Sequence, residues 1–369
     1  MYPTNTVVDI ESQPAATTHT DTFPYNNLVI ESNTKKNMIA RGVIICIAIL
    51  IFGGAIAAGV IVGVDKSSDP AQASGPAQAP GPAPPLVYAG AYLDEPPPFE
   101  PKVGFEAMWW DEFDGEEIDR TKWYIQPDIV DYYTANRQIQ HYIDSPSTVQ
   151  VSNDTLYIIA DNPGEVQYDE AANNYDQTYY TSARLNTKTT GGHWYPGMEV
   201  NGTVWSTIRV EARLKTPRGP GVVGAFWMLP IDNSCFPEID IFETPYCERA
   251  SMGMWYVDKS TPRGIAKHGT TVTESYDKFC DEFVTYAVEW NEDYIAYYVG
   301  DSENPVFVTG KETWAGKCDP NNANAPYDRP FYIILNTSVG SMWGGIPTND
   351  IFPAVLEVDY VRVSGVRDA

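Results

Sequence analysis

From about residue 105 onward the chain breaks into short runs rich in Val, Ile, Tyr, Thr and Trp, with turn residues between them. TLYIIA (155–160), TVWSTIRVEARL (203–214), FVTYAVEW (283–290), YIAYYVG (294–300), RPFYIILNTSVG (329–340) and VLEVDYVRV (355–363) are the clearest. β-Branched and aromatic side chains suit a pleated, half-buried surface, and no long stretch keeps a helical period. Each run therefore reads as a strand, and many strands at close spacing predict an all-β sandwich. Aromatic residues make up 13% of the chain, enough to fill a core and leave rings for a surface cleft. The formal net charge of -25 excludes nucleic acid as the ligand, because binding to phosphates needs clustered Lys and Arg.

The first hundred residues have a different texture. Residues 1–37 are polar and aperiodic, which predicts a disordered tail. Within residues 38–65, GVIICIAILIFGGAIAAGVIVGV (42–64) carries no charge, and about 20 apolar residues in a row are what a helix needs to cross a bilayer. The run begins too far from the chain start for a cleavable signal peptide. Lys35, Lys36 and Arg41 precede it, against Lys66 beside Asp65 after it, so the positive-inside rule predicts a type II single-pass protein with a cytoplasmic amino terminus. Residues 66–101 are a Pro/Ala/Gly-rich linker acting as a semi-rigid spacer, and 102–369 form one large lumenal or extracellular domain. Asn153, Asn201 and Asn336 begin glycosylation acceptor patterns on that side. Cys235, Cys247, Cys280 and Cys318 are free to form disulfides there; a bond between Cys235 and Cys247 is disfavoured because the intervening strand holds them apart, which leaves two pairings open.

The segment Phe236-Pro-Glu-Ile-Asp-Ile-Phe-Glu243 places three acids among large apolar residues. In a flat strand Glu238 and Asp240 share one face and Glu243 takes the other. A β-bulge near Ile241 and Phe242 adds one residue, returns Glu243 to the face of the first two acids and sends both apolar groups to packing. Paired carboxylates on one sheet face are what cleavage of a glycosidic bond uses, one as nucleophile and one as acid and then base. Metal ligation, or a merely exposed strand edge, is the competing reading of these acids.

The run PEIDIFE resembles the E-x-D-x-x-E active-site strand of glycoside hydrolase family 16, in the bulged form of its laminarinase-like members. Other segments resemble the family in order: Trp110-Asp-Glu-Phe-Asp-Gly115 with Trp123, Asn136-Arg-Gln-Ile-Gln-His-Tyr142, Tyr180-Thr-Ser-Ala-Arg-Leu185, Gly224-Ala-Phe-Trp-Met-Leu-Pro230, Pro330-Phe-Tyr-Ile-Ile-Leu-Asn336 and Val358-Asp-Tyr-Val-Arg-Val363. The resemblance implies a concanavalin A-like jelly roll of two curved antiparallel sheets with a glycan groove on the concave face. It implies retention of configuration, with Glu238 as nucleophile, Glu243 as acid/base and Asp240 as their modulator. Asn136, Arg184, Trp227 and Trp343 match glycan-binding positions. A structural calcium near Glu112 and Asp359 on the convex side is a further expectation, since hard oxygen ligands suit that ion. No other cofactor is expected, and His141, His193 and His268 lack metal-ligand spacing.

Two departures bear on substrate. Gly221-Val-Val-Gly-Ala-Phe-Trp227 has Val223 where laminarinase-like members have a first platform Trp, and Trp255 stands where the family often has a His. The expected function is a retaining hydrolase of β-1,3 or mixed-linkage β-glucan. A membrane-tethered β-glucan transglycosylase and a non-catalytic glucan-binding protein are the alternatives. The oligomeric state is left open.

Overall fold

The structure is a computed structural model that describes residues 97–127, 138–162, 164, 168–169, 174–175, 180–232, 234–262, 264–275 and 277–368. The expected tail, the apolar run 42–64 and nearly all of the linker lie outside the described residues. Among the described residues no helix is long and apolar enough to cross a membrane.

Among the described residues the two main sheets hold nine and eight strands, and fifteen of these are named here. In chain order they are β1 (Glu106–Asp111), β2 (Tyr124–Ile125), β3 (Val149–Ser152), β4 (Thr155–Ala160), β5 (Arg184–Asn186), β6 (Thr203–Lys215), β7 (Val222–Pro230), β8 (Glu238–Thr244), β9 (Arg249–Val257), β10 (Ile265–Thr273), β11 (Val284–Trp290), β12 (Tyr294–Val299), β13 (Phe307–Gly310), β14 (Phe331–Val339) and β15 (Ala354–Arg367). One sheet runs β13-β12-β11-β6-β15-β4-β3, with β1 also paired to β15; the other runs β10-β9-β8-β7-β14-β5-β2. Every pairing within these two paths is antiparallel, as expected for a jelly-roll sandwich.

The period-2 alternation places the core between the sheets. Phe226 and Met228 of β7, Ile239 of β8, Met252 and Met254 of β9, and Phe331, Ile333 and Leu335 of β14 face Val210 and Ala212 of β6 and Val288 of β11. The intervening residues of the second sheet point outward, so its free face is the one carrying Trp227, Asp240 and Asn336. β14 is buried along its whole length, because both of its faces are covered. Contacts with the sandwich also involve residues before 102. Phe99 meets Trp110 edge-on at 6.0 Å between ring centroids and lies under the Arg362 guanidinium at 4.2 Å.

Cys235 bonds Cys318 and Cys247 bonds Cys280. The two bridges flank β8, tying down the chain on either side of its acids. Asn153 and Asn201 lie exposed in turns, but Asn336 is only 6% exposed and sits inside β14, so its acceptor pattern is not usable by a glycan.

The calcium expectation does not fit these residues. Both Glu112 oxygens are taken by Arg362, at 2.7 and 2.6 Å, and Asp359 pairs with Arg213 at 2.5 Å. Guanidinium groups already neutralise both carboxylates, and a divalent cation would have to displace them. Among the described residues no group of three or more His, Cys, Asp and Glu side chains is placed to hold a metal ion.

Candidate active site

The bulge that the acid spacing requires is present in β8. Against β7, Phe242 pairs with Phe226 and Asp240 with Trp227, leaving Ile241 without a partner. Against β9, Asp240 opposes Gly253 and Glu243 opposes Ser251, so three steps along β8 match two along β9. Ile241 and Phe242 are both fully buried in the core as a result. Glu243 shares a rung with Ala225 and Asp240 with Trp227, and those β7 residues both face the cleft. Glu238, Asp240 and Glu243 therefore project from one face.

Their environment is dry and crowded. Glu238 is 6% exposed and Asp240 is 2% exposed. Burial pushes all three carboxyls above their ordinary range, and mutual repulsion adds to this for the two glutamates. Glu243 is raised to about 8, first by burial and then by the charge of Asp240. Glu238 is raised well above the usual range by burial, then by Asp240 and Glu243. Protons lost from such a cluster belong to the cluster as a whole. Asp240 hydrogen-bonds Glu238, and its Oδ2 accepts the indole N–H of Trp255 at 2.9 Å. Glu238 Oε1, by contrast, is buried and has no hydrogen-bond partner among the described residues.

Next to the acids, Asn336 Oδ1 accepts the Trp227 indole N–H at 2.8 Å, while its Nδ2 donates to the Tyr142 hydroxyl at 3.1 Å. The Arg184 guanidinium lies over the Trp227 ring at 4.8 Å. Trp227 thus lies on the same face of its sheet as Asp240. Its ring is only 4% exposed beneath Arg184, so it holds Arg184 and Asn336 in place rather than offering an open face to a sugar. Trp343 is half-buried in the turn after β14, and the next residue, Gly344, lies close to Val223. Asn136 lies outside the described residues.

Three neighbours of the acids are not among the site residues expected from the sequence: Trp255, which bonds Asp240, Asn336, which the sequence offers as a glycosylation acceptor, and Tyr142, which bonds Asn336. The signal for Trp255 was available in principle, since alternation along β9 opposite a bulged β8 puts it on the acid face. Tyr142 closes the family-like segment 136–142.

Asp240→Asn checks the electrostatics. The Asp240 charge raises the proton affinity of both glutamates, so its removal lowers both. Double displacement with Glu238 as nucleophile and Glu243 as acid, the roles the family resemblance implies, would need Glu238 ionised and Glu243 protonated. The acid and alkaline limbs of a kcat/KM profile should therefore both move to lower pH, the alkaline one from near the value of about 8 that Glu243 carries. A profile whose limbs stay in place would contradict the arrangement.

Comparison with known proteins agrees with the geometry. The family model described as glycosyl hydrolases family 16 matches residues 165–349. The glucan endo-1,3-beta-glucosidase A1 of Niallia circulans is 33% identical over 287 residues, which cover 72% of this chain and 39% of that protein. The beta-glucanase of Rhodothermus marinus is 30% identical over 286 residues, 70% of this chain and 85% of that protein. The endo-beta-1,3-glucanase of Pyrococcus furiosus superposes with a TM-score of 0.57 at 27% identity, over 72% of this chain and 95% of its own. With a two-sheet jelly roll, a bulged strand that converges three acids, and relatives matched along the domain, the chain belongs to glycosyl hydrolase family 16.

Proposed function

We propose that the protein is a retaining endo-β-glucanase acting on β-1,3 or mixed-linkage glucan, tethered to a membrane with its cleft on the lumenal or extracellular side. The observation that carries the reading is the buried Glu238 oxygen, without a hydrogen-bond partner among the described residues, on the same face as a raised Glu243 carboxyl. Retaining chemistry brings the two carboxyls to roughly 5 to 5.5 Å, so that one attacks the anomeric carbon directly.

The steps follow from the residues. Glu243, raised to about 8, keeps its proton at neutral pH and delivers it to the glycosidic oxygen as the bond breaks. Glu238 attacks the anomeric carbon and forms the glycosyl-enzyme. The hydrogen bond between Glu238 and Asp240 carries one proton, and attack requires that proton on the Asp240 side. Glu243, now ionised, takes a proton from water, which releases the sugar with its configuration retained.

The curated relatives named above are a glucan endo-1,3-beta-glucosidase and a beta-glucanase, which supports β-glucan as the substrate class. The apolar run 42–64 and the Lys and Arg bias before it support a type II placement, and exposed Asn153 and Asn201 suit glycan attachment there. The direct test is release of reducing ends by the full-length protein from laminarin and a mixed-linkage glucan, with the anomer of the first product read by NMR. A first product of β configuration supports the proposal; no cleavage of any β-glucan, or an α product, removes it. A labelled acceptor oligosaccharide in the same reaction reports transglycosylation by chain lengthening. The presence of both glutamates weighs against a purely binding role, because sugar binding needs neither.

A further inference from the structure

Three acids in one cleft need a counterweight, and the edge strand supplies it. Lys267 of β10 is registered opposite Trp255 of β9, which is in turn registered opposite Glu238 of β8. The Lys267 ammonium lies over the Trp255 ring at 4.4 Å from its centroid. The same indole donates its N–H to Asp240 Oδ2. On the adjacent rung Asp240 faces Gly253 and Gly253 faces Gly269, so on that rung no side chain of β9 or β10 stands beside Asp240 and the Trp255 ring is the group between the lysine and the acids.

We propose that Lys267 is a positioning residue of the reaction: its ammonium, stacked on the Trp255 ring that stands between it and the three acids, supplies the positive charge against which the triad works. A cation over an indole face is attracted by the ring quadrupole, so the stack holds an otherwise mobile chain in the cleft. The charge lowers the proton affinity of Glu238, Asp240 and Glu243 together, opposing what burial does.

Other groups around the triad do not take this part. Arg184 is occupied over Trp227 on the opposite side of β8. Tyr297 and Tyr327 approach from the core side. Their hydroxyls donate to the Gly253 and Trp255 carbonyls, both at 2.6 Å, and burial keeps both phenols neutral. On β10 itself, His268 points to the other face and stacks on Tyr256. The Lys267 charge bears on all three acids.

This inference rests on the glycosidase reading of the triad, and its test separates the two. Lys267→Met is expected to move both limbs of the kcat/KM profile to higher pH, on the order of half a pH unit for an exposed charge acting across a partly solvated gap. Activity below the acid limb falls several-fold. Lys267→Arg, which keeps charge and stacking, returns both limbs to their original place. In the unaltered protein 1 M salt moves the limbs toward the Lys267→Met positions, whereas the variant responds little.

The same displacement is read without substrate by titrating carbon-13 carboxyl signals of the full-length protein. Failure to cut any β-glucan would overturn the function but leave that measurement intact. Carboxyl titrations of Lys267→Met that overlay those of the unaltered protein, or a Lys267→Arg variant that behaves like Lys267→Met, overturn the inference.

Discussion

Glu238→Gln should lower kcat on β-glucan by about 10^4-fold or more, equivalent to about 5.4 kcal/mol of lost transition-state stabilisation, with little change in oligosaccharide affinity. The amide is isosteric with the acid but cannot form the glycosyl-enzyme. Its neutrality also removes one of the charges that the buried cluster must accommodate, and its N–H can donate to Asp240. The variant is therefore expected to melt no earlier than the unaltered protein. Stopped assays on laminarin, calorimetric titration with a laminari-oligosaccharide and a thermal melt together check this. Residual kcat within tenfold of the original would show that Glu238 is not the nucleophile.

The second large effect is expected at Glu243. Glu243→Ala removes the acid and the base in one change, and general acid–base catalysis typically contributes about 10^2- to 10^4-fold. The loss should be greatest for glucan, whose leaving alcohol needs a proton, and small in the first step for an aryl glucoside, whose phenolate leaves without one. The glycosyl-enzyme then accumulates, because water is no longer deprotonated as it attacks. Azide, already an anion, needs no base and should restore turnover to give a glycosyl azide of retained configuration. The alkaline limb near the Glu243 value of about 8 should vanish with its carboxyl. Loss of rate on both substrates with no azide rescue would assign Glu243 a structural role instead.

Much of this site was legible before any coordinates. Three acids in a run with Ile239, Ile241 and Phe242 conflict with a flat strand, since one spacing cannot bury all the apolar groups and converge all the acids. One extra residue resolves the conflict, and the unpaired Ile241 is that residue. The misreadings have a common cause. Asn336-Thr-Ser matches an acceptor pattern, but a tripeptide carries no information on burial, and the Asn lies at the centre of a covered strand bonded to Trp227 and Tyr142. Trp227 reads as a sugar platform until Arg184, 43 positions earlier in the numbering, is seen lying across its ring. Glu112 and Asp359 read as ligands for a hard cation until their arginine partners appear.

The amino-acid sequence alone determined the fold class, the inward and outward alternation of each strand, the need for a bulge and the identity of the acids. These rest on local spacing: side chains alternate with period 2, and buried charge demands a reason wherever it occurs. Cross-strand register was decided by tertiary structure. It set Trp255 between Glu238 and Lys267, faced Gly253 with Gly269, and chose between the two open disulfide pairings. Electrostatic fields and desolvation depend on distances through space between residues far apart in the chain. The raised proton affinities of the three carboxyls therefore emerge only once the sheets have closed on their core.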